Sequence, residues 1–216
     1  MTESRRRTGR PPLTDRATLL AAARRIGFAD LTVGAVTSEV GVKYSTFYRH
    51  FPSFEALVSE AVDAVLVEST FPEPGPPWQE FVAQTSATMF ELLHDNPGLA
   101  QAIVSLPTRP QCMVQLFCRV TDVLLAAGFT PKDTALGATA TFELALQPWI
   151  DSPGADTGKT TRIEQAQSTP APLDDRVRKA IIDGVEDPPR QWVADKVELL
   201  IDGLEVRLAH AEGYTA

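Results

Sequence analysis

Between residues 43 and 50 the chain places Lys43, Tyr44, Ser45, Thr46, Tyr48 and His50. A cation, two phenols, two aliphatic hydroxyls and an imidazole offer hydrogen-bonding groups of graded reach. Such a set suits phosphate oxygens and base edges better than bond-making chemistry. Upstream, Arg5, Arg6, Arg7 and Arg10 add fixed positive charge that would attract phosphate. No reaction centre is expected elsewhere. His50, His94 and His210 have no metal-ligand spacing among themselves or with the cysteines, and no Ser-His-Asp grouping can be proposed from them. Cys112 and Cys118 lie six apart, on different faces of a helix, and read as reduced, partly buried thiols. The run Gly154 to Thr160 looks like a phosphate-binding loop, but Pro153 stands where that motif needs its first glycine. No cofactor, no metal and no enzymatic activity are expected.

The whole-chain charge of -8 argues against nucleic acid, but its distribution argues for it. Residues 1 to 57 carry nine Lys/Arg against five Asp/Glu, so the acidity belongs to the remainder. Counterion release needs local rather than global positive charge, which suits a basic DNA-reading module on an acidic body. With no run of eighteen apolar residues and no hydrophobic segment after the first arginines, neither a membrane span nor a signal peptide is expected, and the expected location is cytoplasmic.

Positioning those side chains requires short helices. Residues 1 to 12, basic and ending in Pro11-Pro12, read as a flexible arm. Thr14 is expected to cap a helix through Leu19, Leu20, Ala22, Ala23 and Ile26 that stops near Gly27. Thr32 is expected to cap a second, with Val33, Val36 and Val40 on its buried face, ending at Gly41. Gly41 can take positive φ and turn the chain so that Tyr44 to Phe51 form a third helix. After Pro52-Ser53, a fourth runs from about Phe54 to Ser69, with Leu57, Val58, Ala61, Val62 and Val65 inward. Val36, Val40, Val42, Phe47 and Phe51 would close a small core and leave the polar residues on one edge.

The segment from Leu31-Thr32-Val33 through Gly41-Val42 and Thr46-Phe47-Tyr48-Arg49-His50-Phe51 to Ser53-Phe54-Glu55-Ala56-Leu57 closely resembles the signature of TetR-family transcriptional regulators. The match covers about residues 14 to 60. Beyond it the likeness is one of length, helical content and the position of a long loop. The resemblance implies phosphate contacts at Thr46, Tyr48 and His50 and base reading at Tyr44 and Ser45. The candidate DNA contacts are therefore Arg5, Arg6, Arg7, Arg10, Thr32, Lys43, Tyr44, Ser45, Thr46, Tyr48 and His50. Two positions depart from the family pattern. Lys43 stands where a capping Ser is usual, and Phe54 where a Lys usually faces the DNA backbone.

The four prolines of residues 71 to 77 forbid helix and mark the expected boundary between a DNA-binding domain, 13 to 70, and a body, 78 to 216. Amphipathic stretches at 78–95, 97–106, 110–127, 132–149, 174–185 and 189–211 predict an all-α helical bundle, with 151 to 173 as a mobile loop. Val193, Val197, Leu200, Ile201, Leu204 and Leu208 form a stripe on the last helix. Leu136, Ala140, Glu143 and Leu144, beside the small Gly137 and Thr141, form a second candidate face. The resemblance implies that these two helices pair with their copies in a homodimer, matching a palindromic double-stranded operator. Phe81, Thr85, Met89, Leu92, Met113, Phe117, Phe142, Leu146 and Trp149 are candidate lining of a pocket for a small, mostly apolar effector, with plain core as the alternative. The implied function is a ligand-responsive repressor. An activator or ligand-independent regulator of the same fold remains open, as does a small-molecule-binding protein or enzyme that has lost DNA binding.

Overall fold

The computed structural model describes residues 14–75, 77–150, 163, 164, 167, 173–186 and 188–213, with side chains up to 210. The arginine arm, the phosphate-loop-like run and most of the stretch read as a long loop lie outside the described residues. Ile163, Glu164 and Gln167, inside that stretch, are helical. Glu and Gln are good helix formers, a preference hidden among the prolines and glycines around them. Apart from those three residues, the described residues form ten α-helices, a single 3-10 turn and no strand. None of these helices is long and apolar enough to cross a membrane.

Local chemistry sets the first four helices. Helix α1 spans Arg16–Ile26, and Asp15 rather than Thr14 caps it. The Asp15 carboxylate accepts from the Thr18 backbone N–H and from its hydroxyl, each at 2.7 Å, whereas Thr14 is buried. A carboxylate at a helix N-terminus satisfies an orphan donor and meets the positive end of the helix dipole, which a hydroxyl does less well. The Thr18 bonds hold the Asp15 carboxyl below its ordinary pKa. The contribution of the cap is therefore present above the normal carboxylate range and is lost as pH falls through the folded value. A 3-10 turn, Phe28–Asp30, leads to α2, Val33–Val40, capped by Thr32, whose hydroxyl accepts from Ala35 N–H at 3.0 Å. Gly41 ends α2 in the left-handed region, φ 73 and ψ 34, and swings the chain into α3, Tyr44–His50. Ser53 then caps α4, Phe54–Glu68.

The body follows as α5, Trp78–Asp95; α6, Leu99–Ser105; α7, Gln111–Ala126; α8, Pro131–Ile150; α9, Asp175–Glu186; and α10, Pro189–Gly213. Helix α5 lies at its centre against α7, α8 and α10, while α6 and α7 reach α4. One continuous core runs from Leu19 and Phe47 to Phe81, Met89, Leu124 and Leu204. Phe54 packs against this core and, with Phe28, Leu31 and Gly98, borders a cavity of about 350 Å³ where the 3-10 turn and α4 meet α6. Its ring faces the body, so the loss of the usual cation accompanies a gain in packing.

The α10 stripe read as partner-facing serves this chain's own core, whereas Leu136 and Glu143 of the second face stay exposed on α8. Val193, Val197 and Leu204 are buried, with Leu200, Ile201 and Leu208 packed beside them. A Cβ at Gly137 would come within 3.2 Å of Leu124 and Leu204 side chains. Thr141 is fully buried and donates to the Gly137 carbonyl at 2.8 Å. The small residues on α8 admit α7 and α10 of the same chain. The uncovered large apolar residues of these two helices are Leu136, already part of the second face, and Ile150 on α8, and Trp192, Leu199 and Val206, seven apart on α10.

Candidate nucleic-acid interface and effector cleft

Helix α3 is held by its two phenylalanines. Phe47 and Phe51 are fully buried, their rings stacked at 5.7 Å, and Val36 closes the pocket from α2. Val40 and Val42 are only partly buried at its margin. A helix advances about 100° per residue, so burial of Phe47 turns Ser45 and Arg49 outward. Lys43, Tyr44, Ser45, Tyr48 and Arg49 are exposed, and Thr46 and His50 half-exposed. Thr32 is exposed at the start of α2. The sequence-selected residues of α3 thus share one surface, with Arg49 near its middle. The sequence reading took Arg49 only as a motif letter; helical phase is the signal that exposes it. The Tyr44 hydroxyl lies over Gly34 of α2, where a Cβ would approach it to 2.8 Å.

A second omission from the sequence reading is Arg16. Its guanidinium bonds both carboxylate oxygens of Glu60, donates to the His50 carbonyl at 2.5 Å and sits 4.1 Å over the Phe51 ring. One side chain thereby ties α1 to α4 and closes the C-terminus of α3, whose last carbonyls otherwise lack partners. Arg24 pairs with Glu68 and Arg25 with Glu39. Among the described residues of the front module, Lys43 and Arg49 are the cations left facing solvent without an ion-pair partner.

Lys43 occupies the N-cap of α3 and makes no side-chain cap bond. A Lys43→Ser chain is expected to gain about 1 kcal/mol, from a hydroxyl that can accept from the first turn. In a chain of this length that raises the melting midpoint by roughly 2–4 °C. DNA affinity should fall at the same time, its salt dependence shallower by about one ion. Thermal melting and binding titrations on the same preparation would show these opposed signs; a midpoint that falls would refute the capping account.

In the body, Arg109, Met113, Val114, Phe117, Thr139, Phe142, Glu143 and Leu146 line a cleft of about 340 Å³ between α7 and α8. This volume lies in the range that accepts small ligands. The Phe117 and Phe142 rings lie 6.2 Å apart across it. Of the residues selected from sequence, Met113, Phe117, Phe142 and Leu146 come together here. Phe81, Thr85, Met89 and Leu92 are buried along α5 outside that lining. The Thr85 hydroxyl and the Trp149 indole N–H are buried without a partner. Trp149 packs on Phe90 and His94. Arg109, Val114 and Thr139 went unselected because polar residues and a valine on amphipathic helices give no cleft signal until the helices are placed. Among the described residues no group of His, Cys, Asp or Glu could hold a metal ion.

A capped helix-turn-helix with an exposed polar third helix, joined to an all-helical body, defines a two-part all-helical architecture. Residues 18–61 match the family described as bacterial regulatory proteins, tetR family. The front domain is a TetR-family DNA-binding domain, and the chain as a whole carries the fold of TetR-family regulators. Similar solved structures include Streptomyces coelicolor ActR in complex with (S)-DNPA, at 19% identity and TM-score 0.70, covering 92% of this chain and 98% of that one. Mycobacterium smegmatis BioQ follows at 19% identity and TM-score 0.67, covering 91% and 99%. BioQ with its double-stranded DNA operator gives 17% identity and TM-score 0.58, covering 88% and 98%. No curated protein matches the sequence.

Proposed function

We propose that this protein is a homodimeric cytoplasmic repressor, without catalytic activity, that leaves a palindromic operator when a small, mostly apolar effector enters the α7–α8 cleft. The observation that carries the reading is the outward face of α3, where Lys43, Tyr44, Ser45, Thr46, Tyr48, Arg49 and His50 stand together on a buried Phe47–Phe51 base. A helix of this size enters a major groove, with hydroxyls and cations reaching phosphates and the Tyr44–Ser45 end meeting bases. Thr32 and the arm residues Arg5, Arg6, Arg7 and Arg10 would add backbone contacts. The BioQ–operator and ActR–(S)-DNPA complexes show this fold with DNA and with a small molecule, which supports both halves of the proposal.

Dimerisation would use the uncovered apolar residues, Leu136 of α8 with Leu199 and Val206 of α10, which are 51%, 73% and 56% exposed in the single chain. Gly203, beside them with open space at its Cβ, would admit a partner helix closely. Two recognition helices related by a two-fold axis then meet half-sites one helical turn apart. Met113, Phe117, Phe142 and Leu146 would contact the effector, with Phe81, Thr85, Met89, Leu92 and Trp149 as the wall behind. A thousandfold loss of operator affinity requires a coupling of roughly 4 kcal/mol, above the usual 1–3, so modest release or a strongly bistable dimer is expected.

The test is fluorescence anisotropy with DNA from upstream of the protein's own gene, against scrambled DNA, over a salt series. The expected preference is about a thousandfold or more, with a steep salt slope. Thr46→Ala and Tyr48→Phe should each weaken binding roughly fivefold on any sequence, as losses of one phosphate hydrogen bond. Equal, weak binding to both DNAs would overturn the proposal.

A further inference from the structure

Helix α7 begins without a cap of its own. Its N-cap is Pro110, which has no side-chain acceptor, so the first N–H groups of the helix need partners from elsewhere. One comes from α4: the Cys112 backbone N–H donates to the Asp63 carboxylate at 2.8 Å, across 49 residues of sequence. A carboxylate there also meets the positive end of the α7 dipole. Burial, and then the charge of Asp63, raise the Cys112 thiol above its ordinary pKa, in keeping with a carboxylate held against this turn. Two turns on, and on the same face, Arg119 donates to the Pro72 carbonyl at 2.5 Å and pairs with Glu73 at 3.4 Å. Helix α7 thus grips α4 near its middle and the segment that follows it. On other faces of the same turns, Met113, Val114 and Phe117 line the cleft.

We propose that Asp63 is the positioning residue through which α4, and with it the recognition helix, follows the state of the α7–α8 cleft. The inference rests on the reading of that cleft as the controlling site. A ligand larger than the space already open between α7 and α8 displaces one of these helices. A displaced α7 takes its first turn with it, and the Asp63 bond joins that turn to the helix leading directly out of the helix-turn-helix. An apolar contact slides over such a displacement, whereas a charge-assisted hydrogen bond to a helix N-terminus holds its geometry.

The cleft can be filled without a ligand. Val114 is half-exposed at its edge, so Val114→Trp places an indole into the cleft with little cost to the core. In the otherwise unchanged chain, Val114→Trp is expected to lower affinity for the upstream DNA at least tenfold, read by anisotropy. In the Asp63→Ala background the same substitution should lower it less than threefold, and in the Asp63→Asn background, where an amide oxygen still accepts the bond, the tenfold effect should return. The cycle isolates coupling from any shared loss of stability. Should Asp63→Ala fail to fold, Cys112→Pro deletes the donor instead, at a first-turn position where proline is tolerated, and the same reduced effect is expected. Equal effects of Val114→Trp with and without Asp63 would overturn the tether while leaving the cleft as the controlling site. No effect of Val114→Trp in any background would overturn the cleft reading, and the tether with it.

Discussion

A Gly98→Ala chain is expected to lose at least tenfold in DNA affinity while keeping its helical content. Gly98 precedes α6 with φ at +85°, a region that costs a residue with a Cβ about 1–3 kcal/mol. Space is the larger obstacle. An added Cβ would lie 2.5 Å from the Ala29 backbone nitrogen and 2.7 Å from Ala29 Cα and Phe28 carbonyl carbon. Those atoms are backbone of the 3-10 turn and cannot swing aside as a side chain would. The front module has to move off α6, opening the cavity bordered by Phe54, Val58 and Gln101. Two recognition helices in a dimer must match grooves one turn apart, so a small rotation of each module is felt twice at the DNA. Anisotropy beside far-UV circular dichroism checks this. Unchanged affinity would show that the module does not rest on α6 when bound to DNA.

The second large effect is expected at Phe47. Its side chain is fully buried, stacked on Phe51 and meeting the edge of Tyr48 at 5.2 Å. Truncation to alanine in such a setting costs about 3–5 kcal/mol, against a total stability of about 5–15 kcal/mol for a typical protein. The local core here is small, since Val40 and Val42 close it only in part, so little can collapse into the space left behind. The front module is expected to melt well before the body, giving two thermal transitions and loss of specific binding. Phe47→Leu, nearer in volume, should cost less than about 1.5 kcal/mol and leave one transition. A single, nearly unshifted transition for Phe47→Ala would mean that the ring does not hold α3 in place.

The front domain was legible in the sequence because its determinants act over a few residues. Thr32 and Ser53 cap helices that begin one residue later, and Gly41 turns the chain through its own backbone freedom. Phe47 and Phe51, four apart among the more polar residues from Tyr44 to His50, separate a buried from an exposed face by helical period alone. Even there, the choice between Thr14 and Asp15 as the first cap turned on which of two adjacent acceptors meets the Thr18 N–H, a matter of one residue of phase. Arg49 was equally accessible to that period and was passed over.

The body is less legible because amphipathic periodicity names an apolar stripe without saying what covers it. Val193, Val197 and Leu204 are equally suited to a partner helix or to their own α5 and α8. Folding places them in the chain's own core and leaves Leu199 and Val206 uncovered. Gly137 likewise allows close approach by any helix, and α7 and α10 are the ones that arrive. The cleft between α7 and α8, the rest of the 3-10 turn on Gly98, the Arg16 bonds to Glu60 and the His50 carbonyl, and the Asp63 bond to the Cys112 N–H join residues tens of positions apart. Local chemistry, acting within a turn or two of helix, wrote the caps, the turn and the reading face into the chain. Which helices meet, and where they leave space, follows from packing many stripes at once, and no short stretch of residues carries that information.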